Sequence, residues 1–389
     1  MAAAAGMKVA AGVRAAGGGR MLAWRLHSYG GLGELRLDNA RVPPLRGTDE
    51  VLVEVHAAGL NPLDVGMAGG YGSRVLNMLR QLEGSEMEFP LVLGRDLCGT
   101  VVRGGPAARL RPGTRVWAAL PPHRPGALAQ FVVLRDSWAG EAPRALDATS
   151  AGGALYAALT ACSALRAGGM LNTPRSRGAR VLLLGLGGVG QAALQLLAAG
   201  GAQVVAGCAA EQAELARRLG AAEALDRHAA DYERALEEGG PYALVLDCSG
   251  AGGWAASERR WRLARYVTLS SPLLRETDAR GLLAGGARAL ADLAAQNLAL
   301  RRAQPAEGVT ASCEPHVRWA YFSEQHAQDD IALLKSLADR GQFTVCVEQV
   351  FPWWDATAAL ERMARGHARG KVVLDFTAEA PPSDGARSF

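Results

Sequence analysis

The run Arg180-Val181-Leu182-Leu183-Leu184-Gly185-Leu186-Gly187-Gly188-Val189-Gly190 limits the fold more than any other stretch of this chain. It matches G-x-G-x-x-G, with a fully apolar strand before it and an amphipathic helix after it. Gly185 permits a tight turn, Gly187 lets the backbone approach a diphosphate, and Gly190 lets helix and strand pack closely. The first turn of the following helix, with Gly188 and Val189, offers free N–H groups and a partial positive charge to an anion. The pattern predicts a dinucleotide site. The alternative is a glycine-rich turn in an α/β domain that serves another ligand, such as S-adenosylmethionine.

Around this motif strands and helices alternate. Strands are predicted at Val181–Leu184, Gln203–Cys208, Ala222–Leu225, Tyr242–Cys248, Arg265–Ser270 and Val317–Phe322, with helices at Val189–Ala199 and Glu211–Leu219. Six strands with helices between them predict an α/β domain, a doubly wound parallel sheet of the Rossmann type. Upstream the texture differs. Residues 21–150 read as short strands and turns, including the alternating Val51–Val55, then Leu97–Val102, Arg115–Ala119 and Gly126–Leu134, with Pro112-Gly113 as a turn. That spacing predicts a barrel or sandwich. Ala151–Ala167 reads as one helix and Asp329–Arg340 as another, while Phe343–Val350 and Lys371–Phe376 read as strands returning to the first domain. The expected division is residues 21–150 with 324–376 as the barrel domain and 151–323 as the nucleotide domain. Residues 280–308 are low in complexity and helical in character.

The 389 residues suit two domains or three. Lys8, Arg14 and Arg20, with no acid among residues 1–20, supply most of the formal net charge of +4. The remaining body is close to neutral, which disfavours nucleic-acid binding by bulk charge. Residues 1–20 read either as a mitochondrial presequence or as an Ala/Gly tail, and residues 377–389 as a flexible end. No apolar run reaches the ~20 residues of a membrane helix. The six cysteines contain no C-x-x-C pair, which favours free thiols over a disulfide framework or a zinc ribbon. Lysine stands only at positions 8, 335 and 371, so arginine carries almost all of the positive charge.

An acid at the tip of the second strand usually binds the ribose 2′-OH of NAD. Here that strand ends at Cys208, followed by Ala209 and Ala210, and Glu211 comes late. The missing carboxylate favours NADPH. Arg227, just after the third strand, is a candidate partner for a 2′-phosphate or else an exposed surface arginine. The first domain offers Cys98, His27, His56 and His123 without ligand-like spacing, so no metal site is expected.

Further tracts carry a resemblance. They are Gly59-Leu60-Asn61-Pro62-Leu63-Asp64, Gly70-Tyr71-Gly72, Phe89-Pro90-Leu91-Val92-Leu93-Gly94-Arg95-Asp96, Val116-Trp117-Ala118-Ala119 and Arg365-Gly366-His367-Ala368-Arg369-Gly370-Lys371. With the glycine motif, they resemble the zinc-free quinone oxidoreductase branch of the medium-chain dehydrogenases/reductases over nearly the whole chain. The resemblance implies a GroES-like β-barrel beside a Rossmann domain, with the active site between them. It also implies NADPH as cofactor, a mitochondrial matrix location, a role in ubiquinone biosynthesis, and binding to reticulon-4. Asn61, Asp64 and Tyr71 are carried over as nicotinamide-pocket and catalytic residues. Thr160, Cys208, Leu269, Phe322, His367, Ala368 and Arg369 are carried over as cofactor contacts. Family members often pair into a homodimer through the region of Val317–Phe322. The chain departs from the family in a glycine loop one residue shorter and without serine, in Arg227 where the family has tyrosine, and in Asp247-Cys248-Ser249-Gly250. Residues 285–315 also look longer.

The chemistry expected is hydride transfer to a quinone or conjugated carbonyl, with Asn61 and Tyr71 hydrogen-bonding the carbonyl oxygen as it gains charge. Tyr71 or water would supply the proton. Two other readings stay open: an NADPH-binding scaffold with little turnover, in which Asn61 and Tyr71 only shape a loop, and a Rossmann methyltransferase.

Overall fold

The computed structural model describes residues 19–84, 88–303 and 315–380. Most of the expected presequence and the end of the expected tail lie outside these residues. Eight strands build the first part: β1 (Arg20–Leu26), β2 (Leu35–Arg41), β3 (Glu50–Leu60), β4 (Leu91–Val92), β5 (Asp96–Gly104), β6 (Arg115–Ala119), β7 (Phe131–Arg135) and β8 (Ala139–Glu141). The short sheet runs β2-β1-β4 and is antiparallel. In the larger sheet β3 is central, pairing antiparallel with β5 and β7. Val51, Leu52, Val53 and Val55 are all buried, so β3 is covered on both faces rather than half-buried as its alternation predicts.

Two helices interrupt a stretch that reads as strands and turns, α1 (Pro62–Ala68) and α2 (Ser73–Leu82). The signal for α1 lies in its start. Asn61 precedes Pro62, whose fixed φ suits a first helical position, and the Asp64 carboxylate reaches back 2.9 Å to the Asn61 N–H. The predicted helix over Ala151–Ala167 is two, α3 (Ala148–Gly152) and α4 (Leu155–Ala167). Between them Gly152 and Gly153 lie against β3. A methyl added at Gly59 would come within 2.7 Å of the Gly152 oxygen and the Gly153 Cα, so the close approach requires glycine there.

The second part holds six strands, β9 (Arg180–Leu184), β10 (Gln203–Cys208), β11 (Glu223–Asp226), β12 (Leu244–Asp247), β13 (Arg265–Thr268) and β14 (His316–Trp319). They pair in parallel in the order β11-β10-β9-β12-β13-β14. This is the doubly wound order of dinucleotide folds. The helices of this part are α5 (Gly188–Ala199), α6 (Ala213–Arg218), α7 (Tyr232–Glu238), α8 (Ala255–Glu258), α9 (Leu273–Arg280) and α10 (Leu282–Ala303). The chain then returns through α11 (Ala327–Asp339), β15 (Val347–Pro352), α12 (Ala356–Ala364) and β16 (Lys371–Asp375). β16 pairs antiparallel with β3 and completes the larger first sheet.

One apolar core fills the barrel, including Leu26, Val53, Leu97 and Leu374. Another runs from Cys98 and Trp117 through Leu155 and Leu159 of α4 to Val181 and Leu194. The second core crosses the domain boundary, so α4 fixes the barrel against the nucleotide sheet.

Asp147 accepts the Ser150 N–H at 2.7 Å and the Thr149 hydroxyl at 3.0 Å, and so caps α3 at that boundary. The Ser150 N–H holds its carboxyl below the ordinary aspartate range. Its stabilisation is therefore present above the unfolded pKa of about 3.9 and is lost as pH falls through the lower folded value. Asp147→Ala should cost about 1 kcal/mol at pH 7. Denaturant titrations should show the difference from the parent chain shrinking towards zero as pH falls below that window.

Candidate active site

The strand β9 delivers the chain to Gly185, whose φ of +88° belongs to glycine. Gly185 packs on the backbone of Cys248 and Ser249, where a methyl would approach to 3.0 Å. A methyl at Gly190 would collide with the Gly185 oxygen, while one at Gly187 would meet nothing within 4 Å. The corner is thus tight on its inner side and open at Gly187. The loop is pinned by Leu186, whose carbonyl accepts from the Gln191 side chain at 3.0 Å and the Gln212 side chain at 3.1 Å. No side chain caps α5. Its first-turn N–H groups are left for a ligand, as in a diphosphate cradle. The residues present fit a dinucleotide.

Cys208 is buried at the tip of β10, and its carbonyl accepts the Arg227 N–H at 2.8 Å. Burial pushes the Cys208 thiol up; Asp226 adds to the rise, and Arg217 and Arg227 oppose it. The exposed Arg227 therefore stands near this tip, with its Nε 3.1 Å from the His228 ring. An acid stands there too, because Asp226 is the register partner of Cys208 on the neighbouring strand. Sequence spacing along β10 alone could not show it.

On the barrel side Asn61 follows β3 as the cap of α1 and is almost fully buried. Its Oδ1 accepts from Lys371 Nζ at 2.7 Å, and its Nδ2 donates to Asp96 Oδ2 at 2.9 Å. Lys371 Nζ also lies 3.0 Å from Asp96 Oδ2, and Asp96 Oδ1 accepts the Tyr156 N–H. One amide hydrogen of Asn61 is left over. This is narrower than the free carbonyl donor that the sequence suggests. Lys371 joins the two halves: a methyl at Gly188, on the glycine corner, would touch its Cδ at 3.4 Å.

Asp64 lies behind this cluster with no exposure. Besides Asn61 it accepts the Gly94 N–H at 2.7 Å and faces Arg95 Nε at 3.6 Å. Arg95 is equally buried and donates to the carbonyls of Val92 at 2.7 Å and Arg124 at 2.8 Å. Burial raises the Asp64 carboxyl against the pull of Arg95 and the two N–H donors. Asp64 anchors Asn61 and Gly94 through their backbone N–H groups, and its carboxylate is sealed from solvent.

Tyr71 is 40% exposed, with its ring against Gly66. Burial and then Asp278 raise its phenol, with Arg275 opposing, so it keeps its proton at neutral pH. Phe322 stacks on Tyr156 with centroids 4.5 Å apart. The Thr160 hydroxyl is turned back to the Tyr156 carbonyl at 2.7 Å. Leu269 follows β13, bonded through its N–H to Asp247 at 3.2 Å. The Arg369 carbonyl accepts from the Gln191 side chain at 2.9 Å, tying the 367–369 segment to α5. His367 is exposed with φ +51°, and Ala368 is partly buried between it and Arg369. Asn61, the glycine corner and Arg369 therefore meet at the domain boundary, while Cys208 and Arg227 stand at the carboxyl ends of β10 and β11, on the side of the corner where the Gly185 N–H bonds to the Gly207 carbonyl at 2.9 Å. Lys371 and Asp96 stand in the quoted tracts but, like Tyr156, are not among the candidate site residues read from the sequence. The available signal was a lysine opening an apolar strand in a chain that otherwise uses arginine. Among the described residues no three of His, Cys, Asp and Glu gather into a metal-binding group.

Residues 47–144 match the alcohol dehydrogenase GroES-like domain, and residues 219–374 match the zinc-binding dehydrogenase model. The human mitochondrial NAD(P)H oxidoreductase RTN4IP1 is 38% identical over 367 residues, covering 91% of this chain and 89% of that protein. The chain belongs to this family of NAD(P)H oxidoreductases, within the medium-chain dehydrogenases/reductases. The mitochondrial reticulon-4-interacting protein 1 of Caenorhabditis elegans is 31% identical over 369 residues, covering 92% of this chain and 95% of that protein. The fold is shared with the quinone oxidoreductase of Coxiella burnetii at a TM-score of 0.69 and 21% identity, covering 92% of this chain and 99% of that one. The enzyme is thus an oxidoreductase with a nicotinamide cofactor, and the methyltransferase reading is set aside.

The asymmetry of the corner gives a direct test. Gly187 has φ −77°, which alanine tolerates. Gly187→Ala should leave the thermal midpoint within about 2 °C, a change of well under 1 kcal/mol. Because its methyl enters the space above the cradle, it should weaken nucleotide binding at least tenfold by calorimetry, about 1.4 kcal/mol. Gly190→Ala should instead lower stability, because its methyl meets protein.

Proposed function

We propose that the enzyme uses NADPH to reduce a quinone or a conjugated carbonyl, independently of zinc. The observation that carries this reading is the contact between the glycine corner and the Lys371–Asp96–Asn61 cluster. A diphosphate held at the corner would lie beside this polar barrel cluster. When bound, the reduced nicotinamide supplies a hydride to the acceptor. Gly185, Gly187, Gly188, Val189 and Gly190 would hold the diphosphate, with Arg227 and Arg217 beside the 2′-phosphate. Asn61, held by Lys371 and Asp96, has one amide hydrogen to orient a carbonyl. Fixing the two reactants in one cleft is the main source of acceleration.

The acceptor takes up one hydride and one proton, so that a quinone leaves as the hydroquinone and an enone as the saturated carbonyl. Tyr71 is suited to give that proton from its phenol to the acceptor oxygen, the enol formed from an enone then tautomerising to the saturated carbonyl, and to regain one from solvent. Support comes from its exposure and from burial and Asp278 keeping it protonated.

The matrix location, the ubiquinone-biosynthesis role and the reticulon-4 partner rest on the family likeness and the basic residues 1–20. The relatives are named mitochondrial, and that of Caenorhabditis elegans is named for reticulon-4. A homodimer would form along β14, an edge strand of the nucleotide sheet among the described residues.

Oxidation of NADPH by a short-chain ubiquinone, followed at 340 nm with purified enzyme, tests the proposal. Turnover should be saturable, and Tyr71→Phe should lower it by about 10²-fold, the usual scale of a general acid. Arg227→Ala should weaken NADPH about fivefold, as an exposed charge pair does, while leaving NADH within twofold. Tight NADPH binding without turnover of any quinone or enone would favour the scaffold reading.

A further inference from the structure

The helix α2 starts without a cap of its own chain segment. Gly72 stands at its N-terminus with φ +78°, and no side chain of the barrel domain caps it. The missing acceptor comes from the nucleotide domain. Asp278 on α9 accepts the Gly72 N–H on Oδ2 at 2.6 Å and the Arg74 N–H on Oδ1 at 3.2 Å. Its backbone carbonyl accepts Arg74 Nε at 3.1 Å. Leu274 of the same helix packs under Gly72, where a methyl would come to 3.3 Å. Between α1 and this cap lie Gly69, Gly70 and Tyr71; the Tyr71 N–H is bonded to the Gly66 carbonyl at 3.0 Å and its ring rests on Gly66.

Tyr71 is therefore held from two sides. One side is the barrel's own helix α1. The other is a carboxylate more than 200 residues away in sequence, on a different domain. A charge-assisted bond to an N–H is roughly twice as strong as a neutral one, and its loss leaves the first turn of α2 without an acceptor. Asp278 touches no part of the glycine corner and lies outside the Lys371 cluster.

We propose that Asp278 is a positioning residue for the reduction: by capping α2 across the domain boundary it sets the segment that carries Tyr71, so the phenol is in place when the two domains are closed on each other. This rests on the proton-donor reading of Tyr71. Its structural half stands apart from that reading and is measured separately.

Three variants of the full-length enzyme, Asp278→Ala, Asp278→Asn and Tyr71→Phe, with the double variant Asp278→Ala/Tyr71→Phe, provide the test. Hydrogen exchange without nucleotide should show the amides of residues 72–76 exchanging at least tenfold faster in Asp278→Ala, with partial recovery in Asp278→Asn. NADPH affinity should stay within twofold of the parent, because the cradle is untouched. With NADPH and a short-chain ubiquinone, Asp278→Ala should lower kcat about tenfold and should have almost no further effect in the Tyr71→Phe background. Unchanged exchange, or an equal loss of kcat with and without the Tyr71 hydroxyl, would overturn the proposal. A parent enzyme that turns over no acceptor would defeat the donor reading of Tyr71 and with it the catalytic half. The exchange result would still decide whether Asp278 holds the segment.

Discussion

A single buried ammonium organises the centre of this molecule. Lys371 is only 6% exposed, and Asp96 beside it is fully buried. Removing two charges from water is costly, by several kcal/mol each even after relaxation. The arrangement is tolerable because each has polar partners. Lys371 bonds to Asn61 and Asp96, and Asp96 is satisfied further by the Asn61 amide and the Tyr156 N–H. These groups come from β16, the cap of α1, β5 and the start of α4. Four separate segments are thus tied at one point, next to Gly188 of the nucleotide corner. An ammonium is a compact charge on a flexible stem, whereas a guanidinium is a wide planar fork. In a chain whose positive charge is nearly all arginine, lysine at this one position matches a narrow site.

A second buried pair supports the first. Asp64 and Arg95 set Asn61 from behind, one through a backbone N–H and the other through the 92–95 turn. On the nucleotide side Asp247 plays a comparable part. It accepts from Ser249, Gly250, Gly252 and the Thr268 hydroxyl, and so fixes the 248–252 loop on which Gly185 rests. The open space at Gly187 is therefore bounded by elements that are individually anchored. Preorganisation of this kind lowers the ordering cost of a bound nucleotide.

Much of this was legible in the residues. The strand, glycine turn and helix at 180–199 declared themselves by pattern, and the alternation after them yielded the six parallel strands to within a few residues. The helix α1 was hidden because it is short, glycine-bearing and set by capping chemistry, whereas α2 has no glycine and carries helical apolar spacing at Val75, Leu76 and Leu79, which reading residues 21–150 as strands and turns passed over. Asp64 was visible as a carboxylate, but its burial depends on Arg95 and Gly94, thirty residues away. Lys371 and Asp96 could be quoted from their tracts, yet their meeting is a product of β16 returning to β3. Asp278 gave no local sign, since its partners lie in the other domain.

The account depends on Lys371, Asp96 and Asn61 acting as one unit at the domain boundary. Denaturant unfolding of Lys371→Met, Asp96→Asn and the double variant, each with and without NADPH, tests it most directly. Lys371→Met should cost about 3–5 kcal/mol by stranding the Asp96 carboxylate, and the double variant should be more stable than the sum of the two losses predicts. The NADPH-induced gain in stability should fall in both single variants. Additive losses, with an undiminished gain on adding NADPH, would contradict the account.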